Sequence, residues 1–331
     1  MNHYYQKIFK KAQLFSRFTG LSLSEFGELS QELKPLWDKA EEDRLSRDDR
    51  KRRIGGGRGY KLESFESKLS LILISYKLYL TYDVLSFIFG LDQGNISKLV
   101  DKLEPVLAQS HILKLSRIEI KRDRDKKISS VEELLKFYPE MKELVADATE
   151  QQIARPKDKR NKKKYYSGKK KRHTIKTQLL IELHSGKILD ISSPFPGRVH
   201  DYTIFKETKL SDKIPPDSPL YLDKGYDGAT KDFPDHHIII PKKANRWHKL
   251  SKKDRLENRK IGRKRIKVEH AILKCKQFKM LSYIFRHPLQ NYGRKFRIIA
   301  GLVNFKGQHI IKQIHQTVVR NNLGIAITTT S

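Results

Sequence analysis

Three acidic residues stand where a carboxylate could take part in catalysis. Asp147 lies inside VADATEQQI, which predicts a strand although aspartate is depleted in strands. Asp223 follows the apolar run PLYL, and Glu269 borders the apolar stripe of the helix predicted for RKRIKVEHAILKCKQF. Carboxylates suit Mg²⁺ or Mn²⁺, and two such ions can hold the attacking and leaving oxygens of a phosphoryl transfer. We therefore predict a catalytic site in which all three acids are metal ligands.

Each acid also has an ordinary structural interpretation. Asp223 could serve only as a turn former beside Gly225. Glu269 could form a local ion pair with Arg265, one helical turn away, which contributes little on a solvated helix. A zinc site is disfavoured because the chain has no HExxH motif and one cysteine, Cys275. That single cysteine also indicates a reducing compartment.

The charge of the chain predicts a polyanionic partner. Lys and Arg number 69 against 38 Asp and Glu, so the formal net charge is +31. A membrane partner is disfavoured because the most apolar stretch, LSLILISYKLYL, is short and contains Lys77, and the N-terminus lacks a signal-peptide core. We expect double-stranded DNA as the partner, no membrane, no small-molecule substrate, and a cytoplasmic, nucleoid-associated location.

A helix-turn-helix is predicted near residue 90. We expect a helix over Tyr82–Phe89, a turn at Gly90–Leu91 and a second helix over about 93–103, capped by Asp92 and ended or kinked by Pro105. An ordinary helical hairpin fits this segment equally well, and the charge of the chain favours DNA. The outward side chains that could contact DNA are Gln93, Asn95, Ser97, Lys98 and Lys102.

The pattern changes after about residue 116. Strands are predicted around Asp147 and in KTQLLIELHSG, KILDISSPF, PLYLDKG and HHIIIPKK. Helices are predicted in HDYTIFKETKL, over 252–278 and over 291–313. This order indicates a mixed α/β sheet flanked by helices.

Several segments, in this order, resemble the DDE transposases of bacterial insertion sequences. They are DATEQQIARP, YYSGKKKRHTIKTQ, PGRVHDYTIF, YLDKGYDG and RIKVEHAILKCK. The resemblance covers roughly residues 20–305 and implies an RNase H-like sheet preceded by an all-α helix-turn-helix domain. The expected domains are 1–115 for DNA binding, 116–320 for catalysis, and a tail over 321–331. In such enzymes the acids lie on the first strand, after the fourth strand and on a later helix, which matches Asp147, Asp223 and Glu269.

The resemblance also implies DNA contacts and an assembly. Related enzymes carry a Tyr, Arg, Glu, Lys pattern around the glutamate, and Gly262 replaces the tyrosine here. Asp201 is expected mainly to be the N-cap of the helix that follows it. The resemblance also implies a homo-oligomer that holds two DNA ends together. The residues expected to contact DNA phosphates are Arg265 and Lys276, together with Lys169, Lys170, Lys171 and Arg172 from the basic run over 155–172.

The leading hypothesis is a transposase that cuts DNA at terminal inverted repeats, exposes a 3′-hydroxyl and joins it to target DNA. Two ions of Mg²⁺ or Mn²⁺ per site are expected. One rival is a non-catalytic DNA-binding protein, either a regulator or an inactive, domesticated transposase, although it would have no need for the three acids. A second rival is an RNase H-like nuclease that cuts without joining.

Overall fold

The computed structural model describes residues 4–46, 59–115, 141–244 and 249–309. The chain divides into two compact units, which are not continuous in sequence. The first unit comprises Met1–Lys114, Phe278–Met280 and Ile298–Ser331, and the second comprises Leu115–Gln277 and Leu281–Arg297.

The described part of the first unit is helical. Ser22 begins its longest helix with a capping box, in which its hydroxyl accepts from the Glu25 amide and the Glu25 carboxylate accepts from the Ser22 amide. Its helices are α1 (Tyr4–Phe9), α2 (Ala12–Thr19), α3 (Leu23–Leu45), α4 (Phe65–Leu78), α5 (Tyr82–Phe89) and α6 (Gln93–Gln109), and residues 298–309 are also helical.

Helices α5 and α6 form the predicted helix-turn-helix pair. Gly90 ends α5 with φ 65°, a left-handed conformation that glycine adopts without a steric penalty. The predicted end of the second helix is wrong, because α6 continues through Pro105 to Gln109. Val106 and Leu107 are buried beyond the proline, and their packing offsets the backbone hydrogen bond that a proline removes.

Two segments distant in sequence complete the first unit. The Lys77 ammonium lies 5.1 Å from the centroid of the Phe278 ring. Lys306 donates to the Gly20 carbonyl over 3.1 Å, and at Gly301 an added Cβ would lie 2.1 Å from the Leu113 carbonyl oxygen. Residues 298–309 therefore group with the first unit, whereas the predicted catalytic domain extended through 320. The predicted tail over 321–331 lies outside the described residues.

The second unit contains a seven-stranded mixed sheet in the order β2-β3-β1-β6-β7, with β4 and β5 also pairing with β3. β1 is antiparallel to β3 and parallel to β6, and β6 is parallel to β7. The prediction of a mixed α/β sheet is confirmed. The strands are β1 (Leu144–Gln152), β2 (Tyr166–Ser167), β3 (Arg172–Glu182), β4 (Ile188–Ile191), β5 (Phe195–Pro196), β6 (Leu220–Tyr221) and β7 (Ile238–Ile239).

Helices flank this sheet. They are α7 (Lys159–Tyr165), α8 (Asp201–Glu207), α9 (Ala229–Asp232) and α10 (Lys252–Lys276), and residues 292–297 are also helical. Short 3-10 helices cover Ser211–Lys213, Lys224–Tyr226 and Leu289–Asn291, and another covers Lys279–Leu281. Across the described ranges of the chain, every helix is too short or too polar to cross a membrane.

The two faces of the sheet differ in what covers them. Leu144 and Ala146 of β1 belong to a buried cluster that includes Phe205 of α8 and Tyr226. Because side chains alternate along a strand, Asp147 points to the opposite face. Helix α10 contacts β1, β3 and β6, and its buried stripe consists of Val268, Ala271, Ile272 and Cys275.

Candidate active site

Strand register brings Asp147 and Asp223 together. β1 and β6 are parallel, with Leu144 opposite Leu220 and Val145 opposite Tyr221. Continued by two residues, this register sets Asp147 beside Asp223, on strands about 4.8 Å apart. Both side chains then point to the same face of the sheet. Asp223 is the N-cap of the Lys224–Tyr226 turn but its side chain makes no capping hydrogen bond, so its carboxylate is directed elsewhere.

Arg265 on α10 joins the two carboxylates. Its Nη1 lies 2.9 Å from Asp223 Oδ1, and its Nη2 lies 3.8 Å from Asp147 Oδ2. The Arg265 side chain is only 14% exposed, and its Nε is buried without a hydrogen-bond partner among the described residues. The guanidinium therefore neutralises both acids while one of its own donors is left unsatisfied.

Helix α10 is fixed beside these acids by Lys264. Its ammonium donates to Glu143 Oε2 over 2.8 Å and to the Tyr221 hydroxyl over 2.6 Å. These contacts, with the Glu143 carboxylate the larger cause, raise the pKa of Lys264, which stays charged at neutral pH. Since Glu143 precedes β1 and Tyr221 ends β6, Lys264 ties the helix to both strands that carry the aspartates.

The environment of Asp147 favours its protonated form. Burial raises the pKa of Asp147 to about 6, while the Ala148 amide, which donates to Asp147 Oδ1 over 2.8 Å, and Arg265 oppose the rise. The negative charges of Asp223 and Asp201 add to it. Burial therefore makes the charged form of Asp147 less favourable than that of an ordinary aspartate. Carboxylates with a pKa shifted in this way are common at functional sites.

Glu269 lies on α10 between two residues that reach β1. Arg265, Glu269 and Lys276 share one helical stripe, since they are four and seven residues apart. The Lys276 ammonium lies 3.5 Å from the Glu150 carbonyl oxygen. Glu269 itself is exposed and forms no ion pair with Arg265, and the described residues contain no group of three metal-ligating side chains. The structure therefore brings together Asp147 and Asp223 but not the Glu269 carboxylate.

Asp201 takes a different place from the one predicted. His200, and not Asp201, is the N-cap of α8, and its Nδ1 accepts from the Tyr202 amide over 3.4 Å. The Asp201 carboxylate is instead 2.9 Å from the ammonium of Lys176. The Lys176 side chain is only 11% exposed, so its buried charge needs this carboxylate as a partner.

Lys176 and its partners form a polar cluster that the sequence did not reveal. The Lys176 ammonium also donates to the Val199 carbonyl over 2.8 Å and lies 3.9 Å from Glu150 Oε1. Glu150 Oε2 in turn accepts from the Thr174 hydroxyl over 2.8 Å. A lysine in the middle of the apolar stretch TIKTQLLIE was the one available signal, because a charge in a buried strand needs partners.

The predicted DNA contacts of the second unit differ in exposure. Lys169, Lys170 and Lys171 are exposed, as is Arg172, whose Nη1 donates to Gln152 Oε1 over 2.9 Å. Lys276 is half-buried, and burial lowers its pKa, with the nearby charge of Lys170 a further cause.

The predicted recognition residues differ in how far they face outward. Gln93, Asn95 and Lys98 are exposed, and Ser97 is half-buried. The Gln93 amide donates to Asp83, and the Asn95 amide donates to Asp92 over 3.3 Å. Lys102 is held inside the first unit, since its ammonium lies 3.3 Å from Glu41 Oε1. Burial alone would raise the pKa of Glu41, but Arg44 and Lys102 together lower it below the ordinary value.

Comparisons with known proteins match this organisation. A family model described as DDE superfamily endonuclease matches residues 146–304, and one described as the helix-turn-helix of DDE superfamily endonuclease matches residues 60–111. A probable transposase for insertion sequence element IS702 from Microchaete diplosiphon is 30% identical over 307 residues, covering 91% of this chain and 98% of that protein. The chain belongs to the DDE-type transposases of insertion sequences. Members of this superfamily are endonucleases that generally depend on divalent metal ions.

The family matches contain the candidate residues. Residues 146–304 include Asp147, Asp223 and Glu269, and residues 60–111 include α5 and α6. A solved structure of a piggyBac transposase synaptic complex with hairpin DNA is 10% identical, covers 91% of this chain and 75% of its own, and has a TM-score of 0.42. A TM-score of that size is too low to establish a shared fold.

Proposed function

We propose that this transposase cuts DNA at the terminal inverted repeats of an insertion sequence and joins the resulting 3′-hydroxyl to target DNA. The observation that carries the proposal is the pair of carboxylates Asp147, on β1, and Asp223, two residues after the parallel strand β6, with Arg265 contacting both. A DNA-binding protein without catalytic activity would have no use for two acids placed side by side at a cost in electrostatic repulsion.

The donor atoms of this pair suit a divalent ion. Asp147 on β1 and Asp223 just after β6 present hard carboxylate oxygens, and the Arg265 guanidinium compensates their charge where a metal ion could do so. The two aspartates, with Glu269 as a proposed third ligand, would hold two ions of Mg²⁺ or Mn²⁺. Such ions would supply activation of the attacking oxygen and stabilisation of the leaving oxygen in a phosphoryl transfer.

Glu269 is the proposed third ligand. It lies one turn from Arg265 on the stripe of α10 that faces β1, and it is exposed with no ion pair among the described residues. Its side chain is therefore free to turn without breaking an ion pair. The longer carboxylate of a glutamate suits a position on a helix beside the strands rather than on a strand.

Arg265 and Lys276 are proposed to contact DNA phosphates near the cut. The Arg265 Nε is buried, so a phosphate would have to bind the two Nη atoms that now face the aspartates. A metal ion on the aspartates would release these atoms, and a guanidinium can bind a phosphate through two nitrogens. Lys276 extends the same stripe of positive charge along β1. These residues would hold the cleaved strand in position over the aspartates.

The first unit is proposed to recognise the ends of the element. Gln93, Asn95, Ser97 and Lys98 lie at the start of α6, the part of a recognition helix that contacts base edges. Lys102 would contribute only after leaving Glu41. We also infer a homo-oligomer, because two ends must be held together for joining. In it the first unit would bind DNA and the second unit would house catalysis.

Cleavage by matched carboxylate variants tests this function. The substrate is DNA that flanks the coding region, incubated with the full chain and Mn²⁺. Asp147→Asn and Asp223→Asn should each lower the cleavage rate by about 10²- to 10³-fold or more, since each removes several kcal/mol of transition-state stabilisation. Salt-sensitive DNA binding should persist in both.

Asp227→Asn is the matched control. Asp227 is in the same turn as Asp223, but its side chain is 76% exposed and pairs with Lys243. Cleavage should be unchanged in this variant. Undiminished nicking by Asp223→Asn would overturn the site assignment, and cleavage without joined products in the presence of target DNA would leave a nuclease in place of a strand transferase.

A further inference from the structure

Seven cationic side chains surround a groove at the far end of β1. The groove has a volume of about 820 Å³ and is also lined by Gln152, Tyr166 and His173. Its cations come from four segments of the second unit: Arg155, then Lys159, Lys162 and Lys163 of α7, then Lys171 and Arg172, and finally Arg198. We name this feature the basic groove, and we propose that it binds an unpaired DNA strand that continues from the cleaved phosphodiester. The inference rests on the proposed function.

The charge of the basic groove is not compensated by the protein. No carboxylate lines it, and none of its seven cations forms an ion pair within the described ranges of the chain. Helix α7 reads KRNKKKY, so five of its seven residues are basic. Lys159 stands three and four residues before Lys162 and Lys163, spacings at which like charges destabilise a helix. A polyanion would remove this repulsion.

Tyr166 gives the basic groove an aromatic surface. Tyr166 is 42% exposed as a residue, although burial of a tyrosine ring is favourable. His173 contacts it edge-on, with ring centroids 5.7 Å apart and an interplanar angle of 70°. This geometry leaves a ring face available for stacking. Positive charge combined with an exposed aromatic ring is the pattern by which proteins bind single strands, because every base has a face that can stack.

The position of the groove connects it to the candidate active site. Gln152 is five residues beyond Asp147 on the same strand, which corresponds to about 17 Å. Lys276 lies between the two, at the Glu150 carbonyl. The odd spacing between Asp147 and Gln152 puts the Gln152 side chain on the opposite face of the sheet from Asp147. A DNA strand cut at the aspartates would therefore run past Lys276 and around the end of β1 to reach the groove, a path of at least about five B-form steps.

The size of the groove favours a single strand over a duplex. A volume of about 820 Å³ falls in the range of about 300–1,000 Å³ that is typical of pockets for small ligands. Such a space takes a few unpaired nucleotides, whereas a duplex is contacted from outside along its grooves. The groove therefore selects DNA whose strands have separated beside the cut.

Binding to two matched DNA molecules tests this inference. The full chain carrying Asp147→Asn, which prevents cutting, is titrated against end DNA that is either blunt or extended by an unpaired flank with a fluorescent base analogue. Tyr166→Ala should weaken binding of the flanked DNA by about 5- to 150-fold, the range measured when one stacking aromatic is removed. Binding of the blunt DNA should change far less. Tyr166→Phe keeps the ring and should stay close to the parent.

The lysines of α7 give a second measurement. Replacing Lys162 and Lys163 together with glutamine should lower the slope of log K against log salt for the flanked DNA by about 0.7 for each phosphate that is no longer neutralised. Lys231→Gln is the control, since Lys231 is exposed on the same unit but does not line the groove. Its slope should equal that of the parent.

Two results would overturn the inference. Equal losses of affinity for blunt and flanked DNA in Tyr166→Ala would show that the ring contacts duplex DNA, and unchanged binding in both the tyrosine and lysine variants would show that the groove does not bind DNA. Neither result bears on cleavage, which is measured separately with Asp147 intact. Conversely, cleavage that survives Asp147→Asn would refute the proposed function and leave the binding result standing.

Discussion

The two ends of β1 differ in whether the charged side chains around them have a partner of opposite charge within the protein. Near Asp147, three acids have a cation of the protein beside them: Arg265 contacts Asp147 and Asp223, and Lys176 contacts Asp201. At the other end, beyond Gln152, the seven cations of the basic groove have no carboxylate partner among the described residues.

This difference separates cations that are compensated inside the protein from cations that are left for an external partner. Charges near Asp147 are balanced internally, so removing a cation there should cost stability. Charges in the basic groove are left for an external partner, so removing one should cost DNA affinity and not stability. The sign of the stability change therefore separates the two regions.

The largest expected effect on stability is at Lys176. Lys176→Met should lower the free energy of unfolding by about 2–4 kcal/mol, because it leaves the Asp201 carboxylate without its buried partner. Denaturant unfolding followed by circular dichroism measures this. Lys206→Met is the control, since Lys206 pairs with Asp232 at 3.6 Å with both side chains about half exposed and should cost less than about 1 kcal/mol. Equal losses in the two variants would contradict the internal balance.

Arg265 should have the next largest effect. With chelator present, Arg265→Ala should lower the free energy of unfolding by about 1–3 kcal/mol, because Asp147 and Asp223 then repel each other without compensation. Added Mn²⁺ should raise the melting temperature of this variant by more than that of the parent, since the ion no longer competes with the guanidinium. An Mn²⁺ shift no larger than the parental one would refute the idea that Arg265 and a metal ion share the same carboxylates.

The raised pKa of Asp147 predicts a pH dependence. Between the ordinary value of 3.8 and about 6, the native state holds this proton more tightly than the unfolded chain does. The contribution of Asp147 to stability therefore falls as the pH rises through that window and is constant above it. Parent and Asp147→Asn, compared in chelator from pH 4 to pH 7, should diverge by about 1–3 kcal/mol, with the parent losing stability. Parallel curves would show that the carboxyl titrates normally.

The smallest expected effect, of opposite sign, lies in the basic groove. Lys163→Gln should leave stability unchanged or raise it by about 0.2–0.5 kcal/mol, because it relieves repulsion within α7. Unfolding in denaturant at low salt measures it best, where screening is weakest. A clear loss of stability would mean that Lys163 has a partner within the protein. The charge of the basic groove would then be compensated internally, as it is near Asp147.

Much of the fold follows from local pattern. The helix-turn-helix, α10 and the strands flanking Asp147 and Asp223 were predicted because hydrophobic periodicity and capping residues act over a few positions. The end of α6 was predicted wrongly because burial of Val106 and Leu107, a tertiary effect, outweighs the local signal of Pro105.

The candidate site was harder to predict because it depends on register and on distant contacts. The sequence singled out both aspartates, but only the pairing of β1 with β6 sets them side by side. Likewise, an N-cap role for Asp201 was a local inference, whereas its pairing with Lys176 joins residues 25 positions apart. The placement of Glu269 with the aspartates stays a prediction.

Titration of Mn²⁺ into the full chain by calorimetry shows directly whether Asp147 and Asp223 bind a divalent metal ion. We expect saturable binding in the parent and in Asp227→Asn, whose carboxylate is exposed and pairs with Lys243 instead. We expect loss of that binding when Asp147 and Asp223 are both replaced by asparagine, which keeps their size but removes their charge. Equal binding by the parent and the double variant would contradict this expectation.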